Sequence, residues 1–445
     1  MKFTFDRDAM IKEIAVAQEI ITNKSAISIL SNILIIAENN ELIIKATDST
    51  VKFTTTLPVD IQQEGRTTIF CDKFMSIISS LPPGDIEFIQ EDIGVTIRPT
   101  AKKVKFQLKS QASDKFPEIG TSENIPFFEV PAKDFKEMIK QTIFAVSEDR
   151  NRHFMTGVYF VKNGDTLTMV ATDGRRLSCV NKVGLNVPDF QPSIVPTKIL
   201  NCILKNASDE GNIEVSVIDK SIFVKFGSME FSSVLIDGQF PNYQKVIPEN
   251  LSMSIMVNKA DLTEALRRTT IMIDKKASKI IFKISSGVLK IISPDSDMGN
   301  ADEEIPCRYD GNEINMGLNF NYIIDPLKVI DSENVVFDFN VNENNDVSKA
   351  VIMSPFLIIS SEITKAAFPE ITLSRSQFFS RIPSFLSASR SYSSKEITST
   401  QFMEWITLQQ AFSSKTARRP MACFTPSAFC NVVRIPFSIQ SPSSV

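Results

Sequence analysis

The stretch VATDGRRLS, Val170 to Ser178, has a shorter relative 125 residues upstream in KATDSTVKF, Lys45 to Phe53, with Asp48 in register with Asp173. A turn written twice at that distance predicts a copied domain, and the sequence on either side repeats as well. FDRDAMIKEI from Phe5, VPAKDFKEMI from Val130 and VNKADLTEAL from Val257 open alike, at offsets of 125 and 127 residues. Each has an apolar residue at its start and others five and nine positions later, the spacing of an amphipathic helix start. A second set of helices follows in step, CDKFMSIISSL, PTKILNCILKN and NFNYIIDPLKVI, with Phe74, Ile199 and Tyr322 read as equivalent; Asp295 is read as the third copy of the turn aspartate.

Behind each helix pair the sequence alternates with period two, as in DIEFIQEDIGVTIRP and NIEVSVIDKSIFVKF, which predicts antiparallel meanders with one buried face. The fold class expected is therefore α+β: three repeated domains, each with two helices on an antiparallel sheet. The boundaries expected are 1–122, 123–250 and 251–361, leaving 362–445 as a Ser-rich tail. Pro326 falls inside the last predicted helix and predicts a kink there.

Hydrophobic residues make up 43% of the 445 and charged residues 22%, the usage of a soluble globular chain. Asp6 and Arg7 interrupt the N-terminus where a signal peptide needs an apolar run, so a cytoplasmic protein is expected. Six scattered cysteines without a C-x-x-C pair support neither zinc nor a disulfide framework, and His153 is the sole histidine. Neither a phosphate-binding loop nor a convergent nucleophile, acid and base is legible. The chain is thus expected to be non-catalytic and to hold no cofactor or metal.

Net charge is −4, but residues 356–445 carry nine Lys/Arg against four Asp/Glu, which leaves −9 on the remainder. Within that acidic body, cations recur on the polar helix faces: Lys12, then Lys133, Lys136 and Lys140, then Arg267, with Lys73, Lys198 and Lys205 on the second helices. Glu13, Glu19, Glu137 and Glu264 dilute the pattern. Helices of three units facing one space would make a local basic surface.

Residues 1 to about 355 closely resemble the bacterial β sliding clamps, processivity subunits of the replicative DNA polymerase. MKFTF, LPPGDIEF, VATDGRRLS, IVPTKIL, LIDGQFPNYQKVIP and LNFNYIID carry the resemblance, in the family's order. It implies a head-to-tail homodimeric ring around double-stranded DNA, bound without regard to sequence. It further implies short linear peptides of the polymerase alpha subunit, the clamp loader and repair proteins as partners, and no membrane. Lys24 and Lys198 match family DNA contacts; Lys12, Lys73, Lys136, Lys140 and Arg267 join them from the helix faces. Phe106 and Leu108 would meet Ile271 and Met272 of a second copy. The peptide pocket would comprise Arg152, Met155, Thr172, Gly174, Arg176, Leu177, Pro241 and Val246, with Asp173 capping the turn. Arg175 departs from a common histidine.

After Pro355 the resemblance ends. Residues 356–445 lack Asp and Gly, hold the only Trp (Trp405), and do not supply the family's final Met-Pro-Met-like strand. Phe106, Phe231 and Phe356 stand 125 apart, so FLIIS is the expected last strand, with Leu357, Ile358 and Ile359 as the pocket wall. The remainder reads as an extension, a partner arm or out-of-frame sequence, expected to be poorly ordered. A three-repeat scaffold that never encircles DNA is the alternative function.

Overall fold

The computed structural model describes residues 1–21, 28–91, 94–120, 122, 124–247, 251–273, 278–297, 299–341, 347–353 and 435–438. One element order occurs three times: a strand, a helix, three strands, a further strand, a second helix, and three strands. The first helices are α1 (Arg7–Ile20), α3 (Ala132–Ile143) and α5 (Lys259–Thr269); the second helices are α2 (Cys71–Ser80), α4 (Thr197–Asn206) and α6 (Asn321–Leu327). The first unit adds a short strand, Asp60–Gln63. Among the described residues no helix is long and apolar enough to cross a membrane.

Local chemistry sets the helix starts. Asp6 accepts from the Ala9 amide at 2.8 Å and Asn258 from those of Ala260 and Asp261, which satisfies donors the first turn leaves open. Pro131 and Pro196, with φ near the helical value, precede α3 and α4. The apolar stripes then turn inward: Met10, Ile14 and Ala17; Phe135, Met138 and Ile139; Leu262, Ala265 and Leu266 are all buried. Burying each large side chain contributes about 1.5–3 kcal/mol. Among the second helices, buried Phe74 and Ile199 match buried Ile323 rather than Tyr322. Tyr322 therefore stands at the position of Lys73 and Lys198, one residue away from the equivalence expected. Pro326 has no N–H to donate backwards, and α6 ends at Leu327 after seven residues where α2 and α4 have ten.

Thirteen antiparallel strands of the first two units share one sheet. The seam between those units is Val51–Pro58 beside Met229–Val234, with Phe53 directly opposite Phe231. The two rings lie 5.1 Å apart and both are fully buried. Such a ring pair adds about 0.5–1.5 kcal/mol beyond the area it buries. In the third unit Val347–Met353 pairs on its outer side with Ile435–Ser438. The expected strand FLIIS, with Leu357, Ile358 and Ile359, lies outside the described residues.

Glu13 departs from the polar face assigned to it. It is buried on α1, and its Oε2 accepts from the Thr55 hydroxyl at 2.8 Å, which in turn lies 3.3 Å from Ser228 Oγ across the seam. Burial pushes the Glu13 carboxyl above its ordinary value of 4.5, against the opposing pull of the Thr55 hydrogen bond and of Lys12. A carboxyl raised in the folded state stabilises the fold when protonated, and that contribution is lost as pH climbs through the raised value. Glu13→Gln is therefore expected to raise Tm at pH 8 and leave it nearly unchanged at pH 4. A Tm at pH 8 equal to or below the parent's would contradict this.

Candidate partner-binding site

The turn that closes Thr166–Thr172 onto Leu177–Val183 is built as its upstream copy is. Asp173 Oδ1 accepts from the amides of Arg175 (2.8 Å) and Arg176 (2.9 Å), as Asp48 Oδ1 does from Thr50 (2.9 Å) and Val51 (2.7 Å). Thr172 donates to the Arg176 carbonyl at 2.7 Å and accepts from Gly174, and Thr47 repeats both bonds with Val51 and Ser49. Short polar side chains that bond their own backbone two or three residues on are what stabilise such turns. The third copy differs. A longer loop joins Ser293 to Ala301, and Asp295 accepts from the Asn300 side chain at 3.2 Å.

Gly174 sits at φ +85°, but Ser49 holds φ 78° at the same place, so conformation alone does not explain the glycine. Space does. A Cβ at position 174 would lie 2.8 Å from Arg152 Nη1 and 3.7 Å from Met155 Cε, displacing the guanidinium that leans over the turn. Arg152 is exposed and bonds Asp149, which also caps its own short helical turn through the Asn151 amide. Met155 and Leu177 are buried beside the turn.

Pro241 and Val246 come from the segment that leads into the third unit; Pro241 is half-buried and Val246 is 48% exposed. This segment is fastened across the outer face of the second unit's four-stranded sheet, where Phe240 stacks on Tyr159 at 4.7 Å and 2°. Around Leu177 it completes an apolar cluster with Val170, Cys179 and Ile194. All eight expected pocket residues thus fall on the turn, the preceding short helical turn and the connecting segment.

Arg176 behaves differently from its neighbours. Its Nε donates to Asp173 Oδ2 (3.2 Å), Nη1 to Asp325 Oδ2 (2.8 Å) and Nη2 to the Phe144 carbonyl (2.7 Å). The Phe144 and Tyr322 rings lie 5.5 and 4.9 Å from the guanidinium carbon. Sequence reading missed Phe144, Tyr322 and Asp325, whose only trace was the place of the last two on a repeated helix.

Three of the cationic positions are open: Lys12, Lys140 and Arg267 are exposed, the last within 2.9 Å of Glu264. Lys73 is exposed as well, and Lys24 lies outside the described residues. Lys136 corrects the helix-face reading, because it is buried with Nζ on the Ala207 carbonyl (2.6 Å) and Asp209 (2.5 Å). The helix rotation put it only about 100° from Phe135, near enough to fold inward once a carbonyl was available. Lys198 is half-buried and spans the first seam, reaching Asp48 Oδ2 and the Ile20 carbonyl, each at 2.5 Å.

At the chain's outer units, Phe106 and Leu108 are half-buried on a strand that pairs with Gly94–Pro99 through residues 106–109. No described strand covers the opposite edge of those four residues. Ile271 is 73% exposed and Met272 half-buried. Among the described residues no three His, Cys, Asp or Glu converge as metal ligands. Cys71, Cys179, Cys202 and Cys307 are free thiols, and burial pushes Cys71 up to about 12 and Cys202 and Cys307 to about 11.

Three family models cover this architecture: the N-terminal, central and C-terminal domains of the DNA polymerase III beta subunit match residues 1–120, 129–242 and 244–353. The beta sliding clamp of Treponema pallidum is 39% identical over 344 residues, 76% of this chain and 93% of its own length. This chain belongs to the DNA polymerase III beta subunit family, the bacterial sliding clamps. The Escherichia coli clamp is 27% identical over 75% of this chain and 92% of its own. Among solved structures, the Pseudomonas aeruginosa beta subunit superposes with TM-score 0.72 at 28% identity, over 79% of this chain and 95% of that one. The Bartonella birtlesii clamp bound to griselimycin gives 0.74 at 27%, over the same shares.

Within this clamp, Asp48 joins the first turn to the second unit. Burial alone would raise its carboxyl, but the Lys198 ammonium and the Val51 and Thr50 amides together hold it below its ordinary 3.8. A lowered carboxyl stabilises the fold above its unfolded value and loses that contribution as pH falls through the folded one. Asp48→Asn should cost about 1.5–3 kcal/mol at pH 7. The difference from the parent should vanish toward pH 2 in denaturant melts, and a cost that persists there would contradict the ion pair.

Proposed function

We propose that this sliding clamp acts as a closed ring of two copies joined head to tail, which encircles duplex DNA and tethers the replicative polymerase. The observation that carries the reading is the seam between the first two units. There the strand after the capped turn, Val51–Pro58, pairs with the last meander strand of the next unit, Met229–Val234. Phe106–Gln111 is the first unit's counterpart of the latter. Asp302–Arg308, which follows the third unit's loop, is the counterpart of the former.

Each end of the chain therefore carries half of a junction that the chain already makes within itself. Repeating that contact between copies is heterologous, and it gives a ring when the rotation closes. Phe106, Leu108, Ile271 and Met272 are the apolar residues proposed to be covered, while Lys102, Lys103 and Lys105 face the acidic strand across the rim. Exposed pairs of that kind contribute about 0–1 kcal/mol each, so they set register and salt sensitivity. Lys73 stands where Lys198 does, which favours a place at the ring junction for it rather than on DNA.

Lys12, Lys140 and Arg267 remain as phosphate contacts, with Lys24 by resemblance. Contacts of this type are independent of sequence and individually weak, so a confined duplex is held without being stopped. The apolar groove of Met155, Leu177, Pro241 and Val246 suits short peptides with aliphatic or aromatic anchors, the chemistry through which polymerase, loader and repair proteins would share one site. Clamp loaded by its cognate loader should stay on circular plasmid and slide off linearised plasmid. Equal loss from both would reject encirclement. The double variant Phe106→Ala, Ile271→Ala should run as a monomer on sizing, and an unchanged dimer would reject the interface.

A further inference from the structure

The two junctions in the chain use one scaffold with the charges rearranged. At the first, the turn supplies a carboxylate, Asp48, and the second helix of the next unit supplies Lys198. At the second, Tyr322 occupies the position of Lys198 and brings no charge. The cation comes instead from the turn, as Arg176, and the helix answers one turn later with Asp325. The turn that carries the peptide groove is thereby bolted to the third unit.

The guanidinium is spent on this role. All three of its nitrogens donate to partners already named, both neighbouring rings approach it, and only 11% of the side chain is exposed. Asp325 is fixed from its other side too, because Lys328 Nζ lies 3.0 Å from its Oδ1. Two carboxylates, Asp173 and Asp325, thus share one guanidinium, so the floor of the groove offers no uncompensated positive charge to a ligand. On the peptide-groove reading above, we propose that Asp325 is a positioning residue of the groove: it holds Arg176 against the third unit, fixes turn 172–177, and turns the site against peptides with an acidic group beside their apolar anchors.

The test compares the full-length parent with Asp325→Asn and Asp325→Glu in two measurements. In the first, amide exchange is followed over residues 173–178. Asp325→Asn should exchange at least fivefold faster there than the parent, and Asp325→Glu should restore slow exchange. In the second, affinity is measured for a fluorescein-labelled ten-residue peptide ending in Leu-Phe and for a copy with Glu beside that pair.

The parent should bind the glutamate copy more weakly, and in Asp325→Asn that discrimination should shrink at least threefold while affinity for the neutral peptide falls. A merely structural role would weaken both peptides in proportion. Parental exchange together with parental discrimination in Asp325→Asn would overturn the proposal, as would proportional weakening. Faster exchange in Asp325→Asn with neither peptide bound by the parent would leave the bolt standing and remove the groove reading instead.

Discussion

An antiparallel sheet covered by two helices still has strand edges, and an uncovered edge is a row of unpaired amides and carbonyls. In this chain the first unit meets that constraint by lending an edge to the second, with Phe53 against Phe231 in the dry middle of the seam. The capped turn beside the seam places Asp48 within reach of Lys198, and the two contacts together leave the units one sheet and one ion pair in common. The rest of the organisation follows from repeating this contact or withholding it.

Repetition with altered charge explains why the second junction is the specialised one. Moving the cation from helix to turn puts Arg176 beside Gly174, Met155 and Leu177, so the residues that brace two units also border the exposed apolar groove. Bracing and recognition then share a turn of six residues, Thr172 to Leu177. The first junction, with Ser49 and Thr50 in the equivalent turn, has the brace without the groove.

Confinement in place of adhesion accounts for a DNA-handling protein with net charge −4. A ring needs only enough positive charge inside to keep phosphates from being repelled, and more would hold the duplex still. Several lysines that suggest DNA by position are consumed by the protein itself: Lys136 caps the end of α4 through the Ala207 carbonyl, and Lys198 bridges two units. Charge on a helix face indicates a partner only when no carbonyl or carboxylate of the chain lies closer.

The sequence by itself determined the threefold repeat, the α+β class, the six helices and the turn chemistry, because helix and strand periodicities, proline positions and an aspartate two residues before its own amides are local properties. It also marked the eight groove residues through their resemblance to the sliding clamps. Tertiary structure alone decided that Glu13 and Lys136 turn inward, that Ile323 rather than Tyr322 fills the core, and that Asp325 completes Arg176. Those outcomes depend on which atoms of distant segments come within hydrogen-bond reach. Asp325 lies 149 residues from Arg176, a separation no local pattern can register.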